Sequence, residues 1–310
     1  MNDLQRYLAD EFVEDYQEKR LSRRDALKLI ASVTGSLLVA EGLLAACAPA
    51  PETESPTAVT LSTESPTLAP TPPTGTVSPP NDSAVDAGPV EFPSGGDTIM
   101  GYLTHPKKDG AFPVVLVCHE NRGLTAHIQD VTRRVAKAGY VGLAVDLLSR
   151  QGGTAQVGDA NAPGALGNID PEQMVKDFKN GWAHLQTLPF AQAQRVGMVG
   201  FCFGGGVTWR VAVGMPELKA AVPFYGPPPS ESDLSKIQAA VLAIYGELDQ
   251  RITGTAAAIE AAMKANGKIF EKVIYPGADH AFHNDTGSRY NPEAATDAWK
   301  RTLAWFEKYL

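Results

Sequence analysis

The sequence predicts a three-layer α/β-hydrolase-type sandwich with a mostly parallel central sheet, and three observations predict it. Short continuous apolar runs recur between residues 112 and 275, as expected of strands buried on both faces. Helical patterns of ten to twenty residues separate them. Glycine and proline fall where such helices stop and start. Strand and helix in alternation place helices on both faces of a parallel sheet.

The strands come first. Phe112 to Cys118, Tyr140 to Val145, Arg195 to Val199, Ala220 to Phe224, Ala240 to Tyr245 and Phe270 to Tyr275 each have strand length and few polar residues. The helices are predicted over Ile128 to Ala138, Pro171 to Leu188, Gly204 to Val213, Thr255 to Asn266 and Pro292 to Leu310. Pro171 and Pro292 suit a first helical turn, and Gly139 and Gly267 suit left-handed caps. Trp299 and Trp305 read as the apolar face of the last helix.

These elements occupy residues 90–310, enough for one domain with a sizeable core. Ahead of them lie two segments of different character. Residues 1–47 are expected to stand outside the fold. Ser22-Arg23-Arg24-Asp25-Ala26-Leu27-Lys28 resembles a twin-arginine export signal, with Ala26 at the usual phenylalanine. The apolar run Leu29 to Leu44, broken by Glu41, is short for a membrane span of about 20 residues. It ends in Leu44-Ala45-Ala46-Cys47, which resembles a bacterial lipobox and implies lipidation of Cys47. Residues 48–89 are rich in Pro, Thr and Ser and predict a disordered tether. The chain is therefore expected to be an exported lipoprotein, held to a membrane by its lipid at the cell surface or in the periplasm.

The net charge of −8 over 310 residues argues against a nucleic-acid partner.

The chemistry gathers around Val196 to Gly206, a strand running into a glycine-rich turn. Cys202 stands where hydrolases with a G-x-S-x-G turn carry serine. Asp249 follows the strand 240–245 and His280 follows the strand 270–275. All three lie just past carboxyl ends of strands, where such sheets bind ligands. Nucleophile, acid and histidine follow in the chain order of α/β-hydrolases. The acid orients the imidazole and the imidazole draws the proton from the nucleophile. The amide of Phe203 opens a helix beside Cys202 and is a natural oxyanion donor. The same helix end favours a thiolate.

With these residues in place, 90–310 resembles the dienelactone hydrolase (carboxymethylenebutenolidase) family. The carriers are the elbow Gly200 to Gly205, the acid at Asp249, the histidine at His280 and Glu120 in His119-Glu120-Asn121-Arg122-Gly123. The ending "GADHAFHNDTGSRYNPEAATDAW" is similar too. The resemblance implies Cys202 as nucleophile and a role for Glu120 in holding the resting thiol. It also implies the Asn121 amide as second oxyanion donor, a small ester or lactone as substrate, and no cofactor.

The family's two carboxylate-binding arginines are not matched. Asn284 stands four residues after His280, and 151–169, glycine-rich and expected as a mobile flap, holds no Lys or Arg. Arg122, Arg150 and Arg289 are candidate substitutes. Phe201 and Tyr225 read first as packing and second as pocket lining. Cys118 reads as a core thiol, and Asp279 as a weaker candidate acid than Asp249. His119, His127 and His283 lack zinc-site spacing, so no metal is expected. An esterase or thioesterase of other acyl specificity, and a non-catalytic binding lipoprotein, are the competing readings. A thiol-redox role would call for a second nearby cysteine, which the sequence lacks.

Overall fold

The computed structural model describes residues 1–46 and 78–310. Three helices come first: α1 (Asp3–Gln17), α2 (Arg23–Thr34) and α3 (Leu37–Ala46). The strands are β1 (Val85–Ser94), β2 (Asp97–Pro106), β3 (Phe112–Cys118), β4 (Val141–Val145), β5 (Ala191–Phe201), β6 (Ala220–Phe224), β7 (Ala240–Gly246) and β8 (Phe270–Tyr275). Between and after them run α4 (Ala126–Lys137), α5 (Thr154–Val157), α6 (Ala162–Gly167), α7 (Pro171–Leu185), α8 (Phe203–Gly214), α9 (Glu231–Leu234), α10 (Gln250–Thr253), α11 (Ala256–Ala265) and α12 (Pro292–Tyr309).

The strands form one sheet in the order β1-β2-β4-β3-β5-β6-β7-β8. β1 and β2 pair antiparallel, β2 meets β4 antiparallel, and the strands from β4 to β8 run parallel. The carboxyl ends of β3, β5, β6, β7 and β8 therefore open on one edge. Strands β3, β4, β6 and β7 are almost wholly buried, which explains their unbroken apolar sequence.

Local chemistry sets the helix starts as expected. Pro171 follows Asp170, whose side chain caps the Glu172 amide, and Pro292 follows Asn291, which caps Ala294. Helix α12 lies close on β5. A Cβ on Gly197 would stand 2.9 Å from the Phe306 ring, so glycine lets that aromatic side chain fill the gap.

Four expectations need correction. The hairpin β1–β2 was not visible as apolar runs, because its burial alternates along an antiparallel edge. It begins at Val85, inside the stretch assigned to the tether. Ser78, also in that stretch, is buried and bonds through its amide to Asp130 Oδ1 at 2.7 Å. The remainder of the predicted tether, 48–77, lies outside the described residues, as does Cys47.

The segment 151–169 is folded rather than a free flap. Ala162 and Leu166 are buried, and Asp146 accepts from the Thr154 amide and hydroxyl, at 2.8 Å each. Helix α2 packs so closely that a Cβ on Gly164 would stand 2.6 Å from Ser32 Oγ.

The largest departure is at the N-terminus. Residues 3–46 are not outside the fold. Helix α1 opens with a capping box between Asn2 and Gln5 and buries Leu4, Tyr7, Leu8 and Phe12, none more than 3% exposed. These positions recur at three- and four-residue intervals and form one apolar stripe. The stripe lies against the edge of the sheet where the strand carboxyl ends open.

Candidate active site

Strand β5 ends at Phe201 and helix α8 begins at Phe203, so Cys202 alone makes the turn. Its backbone is strained, with φ 58° and ψ −122°. Such a conformation costs of order 1–3 kcal/mol and persists only where the surroundings impose it. They do so here. The Cys202 amide bonds to Phe224 O at 3.1 Å, and its carbonyl accepts from the amides of Gly205 and Gly206. A Cβ on Gly204 would meet His119 O at 2.4 Å, and one on Gly205 would meet Phe224 O at the same distance. The glycines let the turn press against two neighbouring strand ends.

The loop after β7 carries Asp249 and the loop after β8 carries His280. His280 Nδ1 lies 2.7 Å from Asp249 Oδ2, and both side chains are buried. In the neutral ring the carboxylate places the imidazole proton on Nδ1 and leaves Nε2 as acceptor. Burial disfavours a charge on either group. The mutual attraction prevails, holding Asp249 below and His280 well above their ordinary pKa values. Burial, and next the Glu11 carboxylate, push the Cys202 thiol up, with His280 opposing. The thiolate favoured by the helix end is thus outweighed in this arrangement.

The remaining predicted residues divide into those at the site and those elsewhere. Glu120, Asn121, Arg122, Cys202 and His280 line one cleft of about 210 Å³, with Asn284 and Arg289. Glu120 is not bonded to the thiol. Its Oε2 accepts from Asn284 Nδ2 at 2.6 Å, its Oε1 has no partner, and burial raises its pKa. Arg122 bonds to Asp159 O at 3.1 Å. The amides of Phe203 and Asn121 belong to residues flanking the cleft. Phe201 and Tyr225 are fully buried beneath it: Phe201 stacks on His283, and the Tyr225 ring lies 5.0 Å from that of His280. Arg150 is not at the site. It makes a two-pronged bond to Asp177, at 2.7 and 2.9 Å, and pairs with Asp97. Asp279 pairs with Arg20 at 2.7 Å and leaves the imidazole to Asp249. Cys118 is a buried free thiol, as expected.

Three residues that the sequence analysis did not single out come from α1 and α10. Tyr7 Oη lies 3.2 Å from Cys202 Sγ and 3.2 Å from His280 Nε2. Glu11 places its two carboxylate oxygens 3.7 and 3.8 Å from Sγ and accepts from Asn121 Nδ2 at 3.2 Å. Arg251 lies over the Tyr7 ring, 4.6 Å from its centroid. The signal was present in the spacing of Leu4, Tyr7, Leu8 and Phe12 after the capping pair Asn2 and Gln5. Donor atoms of Glu11, Cys202 and His280 lie within 4.8 Å of one another, the one such group among the described residues. A carboxylate, a thiol and an imidazole held by a second carboxylate are a donor set suited to zinc.

The profile of the Dienelactone hydrolase family matches residues 99–310. The chain belongs to that family. A "Putative carboxymethylenebutenolidase" of Methylorubrum extorquens is 36% identical over 236 residues, covering 72% of this chain and 81% of the relative. One of the same description from Synechocystis sp. is 36% identical over 254 residues, covering 71% and 96%. Among solved structures, a "Putative Dienelactone Hydrolase" of Klebsiella pneumoniae superposes with a TM-score of 0.69 at 34% identity, over 73% of this chain and all of the other. As a dienelactone hydrolase family member the protein is a hydrolase. The family match begins beyond α1 to α3, so the helix that meets Cys202 lies outside the matched region.

Proposed function

We propose that the protein cleaves a small carboxylic ester or lactone through an acyl-enzyme on Cys202. The carrying observation is the line from Asp249 through His280 toward a cysteine held on a strained turn at a helix start. In this reading His280 Nε2 takes the thiol proton as Sγ attacks the carbonyl carbon. The proton passes to the departing alkoxide, leaving a thioester on Cys202. Water then attacks the thioester, gives its proton to the same nitrogen, and the acid leaves as the thiol is restored. The amides of Phe203 and Asn121 are the donors assigned to the transient oxyanion. Arg289 and Arg122 supply positive charge at the cleft, which favours a substrate bearing a carboxylate.

The test is turnover of a panel of activated esters, lactones and the dienelactone by the full chain. A preference for carboxylated substrates that disappears in Arg289→Ala supports the assignment. Equal turnover of neutral and anionic esters removes the arginine role.

Export and lipid anchoring belong to the same proposal. No helix among the described residues is long and apolar enough to cross a membrane. Arg23 and Arg24 are exposed at the start of α2. Leu37 and Leu38 on α3 are 64% and 81% exposed, an apolar surface suited to an export signal. Loss of membrane association and of lipid labelling in Cys47→Ser tests the anchor; unchanged fractionation would remove it.

A further inference from the structure

We propose that helix α1 is an intramolecular inhibitor of the catalytic site, bound there as a product-like ligand. The inference rests on the reading of Cys202 as the reacting group.

Tyr7 and Glu11 are four residues apart and share one helix face. The Tyr7 hydroxyl stands between Cys202 Sγ and His280 Nε2, 3.2 Å from each. The oxygen of a departing alcohol, and the water that follows it, both need that place, because His280 must exchange a proton with them. The Glu11 carboxylate lies beside Sγ and accepts from the side-chain Nδ2 of Asn121, a residue that lines the cleft. An ester yields an alcohol and an acid, and α1 presents one hydroxyl and one carboxylate at the corresponding positions. With both in place no acyl carbon reaches the sulfur, and Cys202 is only 3% exposed.

The rim repeats the pattern. Arg251 pairs with Glu14 at 3.1 Å, and Arg289 pairs with Asp15 at 3.5 Å. Arg289, which lines the cleft, and Arg251, which lies over Tyr7, are thus held by acidic groups of α1 rather than left for a substrate. The helix has its own apolar stripe and its own cap, so it docks and leaves as a unit. Lipidation at a lipobox goes with cleavage just ahead of the cysteine, and cleavage ahead of Cys47 would remove α1 to α3 together. One step would then both anchor the enzyme and open it.

The experiment uses the full chain in three forms besides wild type: Tyr7→Ala with Glu11→Ala, Glu14→Arg with Asp15→Arg, and Leu4→Asp with Leu8→Asp. Alkylation of Cys202 by iodoacetamide is followed by peptide mass, and hydrolysis of p-nitrophenyl acetate is followed in parallel. Thermal melting reports folding. The first variant removes the blocking groups, and the other two release the helix. Each is expected to label Cys202 about tenfold faster or more, with ester hydrolysis rising alongside, as the open fraction grows. Labelling within twofold of wild type in the folded Tyr7→Ala, Glu11→Ala protein overturns the proposal, whatever the other two do. Faster labelling with slower ester hydrolysis in that protein also overturns it, since α1 would then serve the reaction. Faster labelling with no ester turnover in any form leaves the inhibitor standing and sinks the hydrolase reading instead.

Discussion

The Tyr7 hydroxyl meets the Cys202 sulfur at 3.2 Å across 195 residues of sequence. The contact is buried on both sides, and burial, with Cys202 and Glu11 next, holds the Tyr7 phenol well above its ordinary pKa. Tyr7 is thus a neutral hydroxyl between thiol and imidazole.

Glu11 is the carboxylate nearest the thiol, and it disfavours the thiolate by like charge. Glu11→Gln removes that charge and keeps the shape. The pH dependence of Cys202 alkylation is expected to shift to lower pH. A rate increase with an unshifted profile would mean that Glu11 acts on access alone.

Asp249 holds the His280 ring and raises its proton affinity against the effect of burial. Asp249→Asn leaves the ring position nearly intact but offers an amide to Nδ1. Ester kcat is expected to fall by roughly 10²–10⁴, with little change in KM. An unchanged kcat would assign the orienting role to another group, with Asp279 the first to test.

Arg289 and Arg150 are both arginines near acids, and they are expected to behave differently. Arg289→Ala removes a cation from the cleft and should raise KM for a carboxylated ester several-fold. Arg150→Ala leaves the Asp177 carboxylate buried without its two-pronged partner. Stability should fall by about 2–3 kcal/mol in chemical denaturation, with KM unchanged. A KM effect at Arg150 would contradict its place outside the site.

Asp285 pairs with Arg134 and with His127 Nδ1, the latter at 3.0 Å. Burial works against its charge, but these partners hold it well below the usual carboxylate range. A depressed folded pKa contributes stability above the unfolded value of about 4, and that contribution is lost as pH falls through the folded value. Asp285→Asn should therefore cost about 2 kcal/mol at pH 7, and the deficit should shrink below about pH 4. A deficit constant from pH 7 to pH 3 would show that shape rather than charge is lost.

The parallel strands were legible because burial on both faces leaves nearly unbroken apolar runs, as in Val114 to Cys118 and Ala240 to Tyr245. Cys202, Asp249 and His280 were legible because a parallel sheet sends every strand's carboxyl end to one edge. The β1–β2 hairpin was hidden by alternation, with residues such as Pro89 and Glu91 on its open face. Arg150 misled because an arginine near the right place in the chain says nothing about its partners, and Asp177 is distant in sequence. Tyr7 and Glu11 were passed over because the motifs at Ser22 to Lys28 and Leu44 to Cys47 read as a leader. The helical stripe from Leu4 to Val13 reads equally well as a docked helix, and only the cleft it fills decides the matter.

The most direct measurement is ester turnover by wild type and Cys202→Ala in the full chain, each also carrying Tyr7→Ala and Glu11→Ala, with intact-mass detection of the acyl adduct. An adduct mapped to Cys202 and measurable turnover are expected, and both are expected to vanish with the sulfur. Turnover that persists in Cys202→Ala, or a folded wild-type site that forms no adduct and turns over no ester or lactone, would contradict the proposed acyl-enzyme on Cys202.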